Sequence, residues 1–130
     1  MNTYKAYLAH PAGNILTMED ALDIYDKMTD CISKITMEDK LEYWNECLKK
    51  ALDYTERRCK WEFMSREEKI AADQGRTMCH NGFIDSLNLL SRIADKEGID
   101  NSWRQKLGDE RKRIGDFACF ITYMTGISNR

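Results

Sequence analysis

No stretch of this chain approaches the ~20 consecutive apolar residues that a membrane-spanning helix needs. No positively charged start leads into an apolar run, so a signal peptide is not expected. An excess of one charge is lacking as well: 20 Lys and Arg stand against 22 Asp and Glu, for a net charge of −2 and a pI near 5.7. That balance argues against a nonspecific nucleic-acid binder, which carries a basic excess on one face. Cys31, Cys47, Cys59, Cys79 and Cys119 include no Cys-x-x-Cys spacing. A disulfide framework and a zinc knuckle are therefore disfavoured, and thiols in a reducing cytosol fit the set. The two histidines, His10 and His80, belong to no Glu-x-x-His or His-Glu-x-x-His pattern, so no metal site and no cofactor are expected. A Gly-rich phosphate loop after a strand and a Gly-x-Ser-x-Gly elbow are also missing. The single proline, Pro11, sits in His10-Pro11-Ala12-Gly13-Asn14, which reads as a turn.

What is present is a soluble globular composition, 42% hydrophobic and 32% charged over 130 residues, enough for one domain with a core. Four helix-start signals stand out: Thr17-Met18-Glu19-Asp20, Thr36-Met37-Glu38-Asp39, Ser65-Arg66-Glu67-Glu68 and Ser102-Trp103-Arg104-Gln105. In each, a hydroxyl can accept from an orphan backbone N–H of the first turn. The acid or amide three residues on can reach back to the N-cap N–H. Each leads into apolar residues at helical spacing. The expected fold is all-α, a four-helix bundle-like single domain over residues 17–130 with a short N-terminal arm over residues 1–16.

The first helix should run from Met18 to Lys34, burying Ala21, Leu22, Tyr25, Met28 and Ile32. Ile15 and Leu16 precede its cap as a hydrophobic staple. The second, from Met37 to Met64, should return antiparallel with Leu41, Trp44, Leu48, Ala51, Thr55 and Cys59 inward. The third runs from Arg66 to Glu97 before Gly98, divided at Gly75, and the fourth from Trp103 to Thr125 before Gly126. Helices 3 and 4 should form the tighter pair. The expected core is Leu41, Trp44, Leu48, Ile84, Leu87, Leu107, Ile114, Phe117 and Ile121.

Two strips of small residues lie on the C-terminal helices. Gly75, Cys79, Gly82 and Ser86 form one; Gly108 and Gly115 form the other, beside Ala118 and Thr122. A helix-interior glycine costs about 1 kcal/mol relative to Ala, so these should be offset by close packing, within the chain or between copies. The helical wheel also gathers Asp73, Arg76, His80, Glu110 and Arg111 into one polar cluster between helices 3 and 4. A second basic set, Lys49, Lys50, Arg57, Arg58 and Lys60, lies on helix 2. With Tyr54, Trp61 or Trp103 beside converging cations, a nucleotide or another small anion could be held.

The expected function is that of a small cytosolic, non-catalytic helical protein acting by protein–protein contacts and self-associating as a homo-oligomer, with Gly75, Cys79, Gly82, Ser86, Gly108 and Gly115 as interface. The alternative is binding of a small anionic ligand such as a nucleotide through Arg76, His80, Arg104, Glu110, Arg111 and Arg113. The third is an acid–base enzyme using His80 with Glu110.

Overall fold

The computed structural model describes residues 15–61 and 63–126. Of the N-terminal arm, Ile15 and Leu16 fall inside this range; His10 and Pro11 lie outside it. All regular structure of the described residues is helical: α1 (Met18–Lys34), α2 (Lys40–Trp61), α3 (Arg66–Lys96), α4 (Trp103–Leu107) and α5 (Arg111–Thr125). No helix among them is long and apolar enough to cross a membrane.

Local chemistry explains the helix starts. Thr17 Oγ1 accepts from Asp20 N at 3.1 Å, and α1 has the expected bounds. At α3 the box is complete: Ser65 Oγ accepts from Glu68 N at 3.1 Å, and Glu68 Oε1 accepts from Ser65 N at 3.0 Å. The other two starts are built differently. Thr36 stands ahead of α2, and its N–H and hydroxyl donate to Glu97 Oε1 at 2.7 and 2.8 Å. Met37 N donates to the same carboxylate at 3.1 Å. A side chain from the end of α3 thus accepts from the Thr36 N–H, as Asp39 was expected to do, and the Thr36 hydroxyl donates instead of accepting. Ser102 makes no side-chain cap bond, and its N–H donates to Asp100 Oδ1 at 3.0 Å.

Two helix boundaries expected inside the C-terminal half are reversed. α3 runs unbroken through Gly75 and Gly82. The expected fourth helix breaks after Leu107, because Gly108 adopts φ 76°, a conformation open to glycine at little cost. Arg104 and Arg113 tie this break together. Arg104 donates to Asn88 Oδ1, the Gly108 carbonyl and Asp109 Oδ1 at 2.8, 2.9 and 2.6 Å. Arg113 donates to the Leu107 and Lys106 carbonyls at 2.9 and 3.1 Å, satisfying orphan acceptors at the end of α4.

The packing centres on α2, which lies against both α3 and α5, while α1 packs chiefly on α4 and α5. The expected hairpin of helices 1 and 2 and the expected tight pair of helices 3 and 4 therefore give way to α2–α3 and α2–α5 pairs. Both are antiparallel. Tyr54 meets His80 and Arg57 meets Gly75 on one side; Thr55 meets Thr122 and Arg58 meets Asp116 on the other. The core holds Leu48, Leu87, Leu107, Ile114, Phe117 and Ile121 as expected, and adds Ile24, Tyr54, Phe83, Leu90 and Phe120. Leu41 is 63% exposed and Leu22 44% exposed, against expectation. Without a close α1–α2 pair, no helix covers Leu41. Trp44 and Ile84 sit half-buried at the core's edge.

A largely buried ion pair joins α2 to α5. Arg58 Nη2 and Asp116 Oδ1 are 2.8 Å apart, with side chains 11% and 2% exposed. Asp116 Oδ2 accepts from the backbone N–H groups of Ile15 and Leu16 at 2.7 and 2.9 Å. Of the two residues expected as a staple, Leu16 is buried in the core that also holds Ala21, whereas Ile15 is exposed. Removing one partner strands the other charge in the interior. Asp116→Ala is expected to destabilise the protein by about 3–5 kcal/mol in urea denaturation.

The glycines of α3 and α5 serve side chains of α2 rather than each other. A Cβ at Gly115 would stand 2.7 Å from Arg58 Nη1 and 2.8 Å from its Cζ, and Arg58 is held by Asp116. A Cβ at Gly82 would meet only Lys50 Cδ, at 3.4 Å. Gly82→Ala should therefore gain about 0.5–1 kcal/mol from helix propensity, whereas Gly115→Ala should lose stability. Thermal melts of the two variants check this opposite sign.

Candidate functional site

The α2–α3 pair leaves a cavity of about 350 Å³ at its C-terminal α2 end. Its α2 wall carries Asp53, Glu56, Arg57, Lys60, Trp61 and the following Met64; its α3 wall carries Ala72, Arg76 and Cys79. These residues recur at three- and four-residue steps on each helix, so each set shares one side of its helix.

The charges of this wall are unspent. Asp53 and Arg57, and Glu56 and Lys60, are at i, i+4 in the order that favours helix ion pairs. Among the described residues neither pair closes, and none of the four side chains makes a hydrogen bond or ion pair there. Arg57 turns across α3 instead, with Nη1 2.6 Å from where a Cβ of Gly75 would lie. Gly75 makes room for that guanidinium. Arg76 stacks on Trp61, its Cζ 4.0 Å from the ring centroid, and Lys69 Nζ lies 5.8 Å from the same ring. Such a stack fixes the guanidinium plane through cation–π attraction. Arg76 also faces Asp73 at 3.6 Å, a long contact with a 60% exposed carboxylate, and its buried Nε has no hydrogen-bond partner in the described residues. A second, smaller cavity of about 230 Å³ continues the groove, where Lys50, Gly82, Asp85 and Ser86 line it.

The cluster read from the sequence is brought together only in part. His80 is 8% exposed and packs edge-on against Tyr54, ring centroids 5.3 Å apart. Its Nδ1 lies 3.2 Å from Asn81 Oδ1, and its buried Nε2 has no partner among the described residues. Burial holds its pKa below the ordinary value; the Asn81 contact opposes this, and the nearby charges of Arg111 and Arg76 add to the lowering. Arg111 Nη2 reaches Thr77 Oγ1 at 3.1 Å. Glu110 leaves the cluster. The break at Gly108 turns it out to solvent as the first residue ahead of α5, where it makes no side-chain cap bond. The expected His80–Glu110 acid–base pair therefore does not form. Arg104 and Arg113 belong to the α4–α5 turn, and Gly108 to that turn rather than to a helix strip. Gly115 lies under Arg58. Of the expected interface set, Cys79 borders the larger cavity, Gly82 and Ser86 border the smaller, and Gly75 lies against Arg57.

Cys79 is half-buried and lines the larger cavity, whereas Cys31, Cys47, Cys59 and Cys119 are buried. The five cysteines form no disulfide, and burial pushes the Cys47 thiol up to about 12. Cys59 and Cys119 adjoin in the α2–α5 interface, at 7% and 0% exposure. Among the described residues no three His, Cys, Asp or Glu side chains gather as a metal site. Sequence reasoning named Arg57, Lys60, Trp61 and Arg76 but missed Asp53 and Glu56. Their i, i+4 spacing to Arg57 and Lys60 was the available signal. Comparison with family models, curated proteins and solved structures finds no match for this chain.

The lowered His80 pKa makes stability pH-dependent. The unfolded chain binds a proton near pH 6.5 that the folded chain resists. Stability is then full above pH 6.5 and falls as the pH drops through that value toward the lower folded pKa. His80→Asn should flatten the slope of melting temperature against pH between about 7.5 and 5.5. Equal slopes in the two proteins would contradict this.

Proposed function

We propose that this chain is a non-catalytic binding protein that holds a small anionic ligand in the α2–α3 cavity, with Arg57, Lys60 and Arg76 as the anion-contacting groups. The reading follows the expected alternative but moves the site from the helix 3–helix 4 interface to α2–α3. The observation that carries it is the set of basic side chains around a 350 Å³ space with donors that the acids of the same wall leave unused. Guanidinium forks match phosphate and carboxylate oxygens in two-point geometry.

A ligand that binds only the folded state at a hundredfold excess over its Kd adds about 2.7 kcal/mol, a melting rise on the order of 10 °C for a domain of this size. Such a rise is expected with members of a phosphate, nucleotide and carboxylate panel, along with a change in Trp61 emission. The double variant Arg57→Ala, Arg76→Ala should lose both signals. No shift across the panel would remove support for the reading.

Action through protein contacts is a second reading, supported by a different observation. Phe63, Ile70 and Met78 are 83%, 71% and 65% exposed on the α2–α3 turn and the first half of α3. Large apolar side chains left in water suit an interface. Self-association should then appear in light scattering at a few hundred micromolar and weaken in Ile70→Asp; a strict monomer would count against it.

A further inference from the structure

We infer that the ligand of the α2–α3 cavity is a phosphate ester of a hydroxyl-bearing body: a sugar phosphate, alone or as the ribose phosphate of a nucleotide. The inference rests on the anion-binding reading above and deepens it. The first argument is the mixed charge of the wall. Asp53 and Glu56 share it with Arg57, Lys60 and Arg76. An ionised carboxylate only accepts hydrogen bonds. A bare inorganic anion would find the cations attractive and these two oxygen pairs repulsive. A molecule with an anionic end and hydroxyl or amine donors satisfies both.

The second argument is that these acids are available. Helix spacing offers Asp53 to Arg57 and Glu56 to Lys60, yet neither pair closes among the described residues, and Arg57 lies over Gly75. Acids and bases on one wall that do not neutralise each other present a two-signed surface to whatever enters. The third is size. At about 350 Å³ the cavity exceeds the share of liquid volume of one water, about 30 Å³, roughly tenfold. Phosphate alone would leave most of it filled with solvent. The fourth is the remaining lining: Trp61, Met64, Ala72 and Cys79 offer apolar surface against which a sugar or base can lie. The phosphate then sits at the Arg57–Lys60–Arg76 end, with the hydroxyls donating to Asp53 and Glu56.

Calorimetric titration of the full chain tests this with inorganic phosphate, phenyl phosphate, ribose 5-phosphate and adenosine 5′-monophosphate. Ribose 5-phosphate should bind at least tenfold more tightly than inorganic phosphate or phenyl phosphate. In the double variant Asp53→Asn, Glu56→Gln that advantage should fall below threefold, while inorganic phosphate binds as well as before or better. Adenosine 5′-monophosphate tighter than ribose 5-phosphate assigns the ligand as a nucleotide; equal affinity assigns a free sugar phosphate. If inorganic and phenyl phosphate match ribose 5-phosphate in the wild-type protein, the hydroxyl-bearing ligand is overturned while anion binding stands. If no phosphate compound binds, both fail together. The ligand comparison in the unaltered protein decides the matter even if the double variant folds poorly.

Discussion

The pairing of Arg58 with Asp116 is the constraint around which the rest of the molecule is arranged. A charge pair 2.8 Å apart with side chains 11% and 2% exposed persists in a protein interior only when the remaining lone pairs are satisfied. The backbone N–H groups of Ile15 and Leu16 contribute to this at Asp116, both donating to Oδ2, while Oδ1 faces Arg58 Nη2. One carboxylate therefore locks α2 to α5 and also seats the entry to α1 on the core. Gly115 keeps the space beside it that Arg58 occupies. The rotation of α2 about its axis is set by this contact, together with the Thr55–Thr122 hydrogen bond at 3.2 Å on the same side.

That rotation decides what the rest of α2 can do. Neighbouring residues on a helix point about 100° apart. With Arg58 committed to α5, Arg57 is turned toward α3 and the cavity, and Tyr54 comes under His80. Arg57 and Arg58 look interchangeable as adjacent basic residues. Their roles separate entirely once one is buried: Arg58 is a structural tie, while Arg57 keeps its donors at the edge of a solvent-filled groove. The same logic separates the two ends of α3. Glu97 closes the α1–α2 connection through Thr36 and Met37, and Arg76, twenty-one positions earlier, is held flat by Trp61.

How much of this the sequence disclosed depends on whether the signal was local. α1 was legible to the residue because Thr17 and its amphipathic pattern act within a few turns. The complete box at Ser65 and the ends at Gly98 and Gly126 were legible for the same reason. Thr36 misled because the acid that satisfies its N–H comes from Glu97, sixty-one residues away. Gly108 misled more seriously. Its heptad relation to Gly115 suggested a continuous strip, and a helical wheel carried through the break placed Glu110 among apolar residues. The Arg104 and Arg113 that flank the break were read as ligand groups, although they spend their donors on the turn's own oxygens. The polar cluster was thus half right: Arg76, His80 and Arg111 do converge, on uninterrupted α3 and the start of α5.

The candidate site illustrates a general asymmetry between core and function. Of the core positions on α2, spacing gave Leu48, Ala51, Thr55 and Cys59, since burial requires periodicity, but it also gave the exposed Leu41 and omitted Cys47 and Tyr54. The cavity could not be read from spacing, because it exists only where the α2 and α3 surfaces fail to fill the space between them. Arg57 lying across Gly75 and Arg76 lying on Trp61 are what keep that space lined with donors instead of closed by an ordinary Ala or Leu contact. A helix-interior glycine that costs about 1 kcal/mol is hard to account for as mere packing when the atom above it belongs to an exposed Arg side chain. It is better accounted for if the guanidinium must lie low in the groove, leaving its outer face open toward a ligand. On this argument Gly75 and Gly115 are not equivalent members of matched strips: Gly115 accommodates a buried tie, and Gly75 accommodates the Arg57 side chain of the cavity wall.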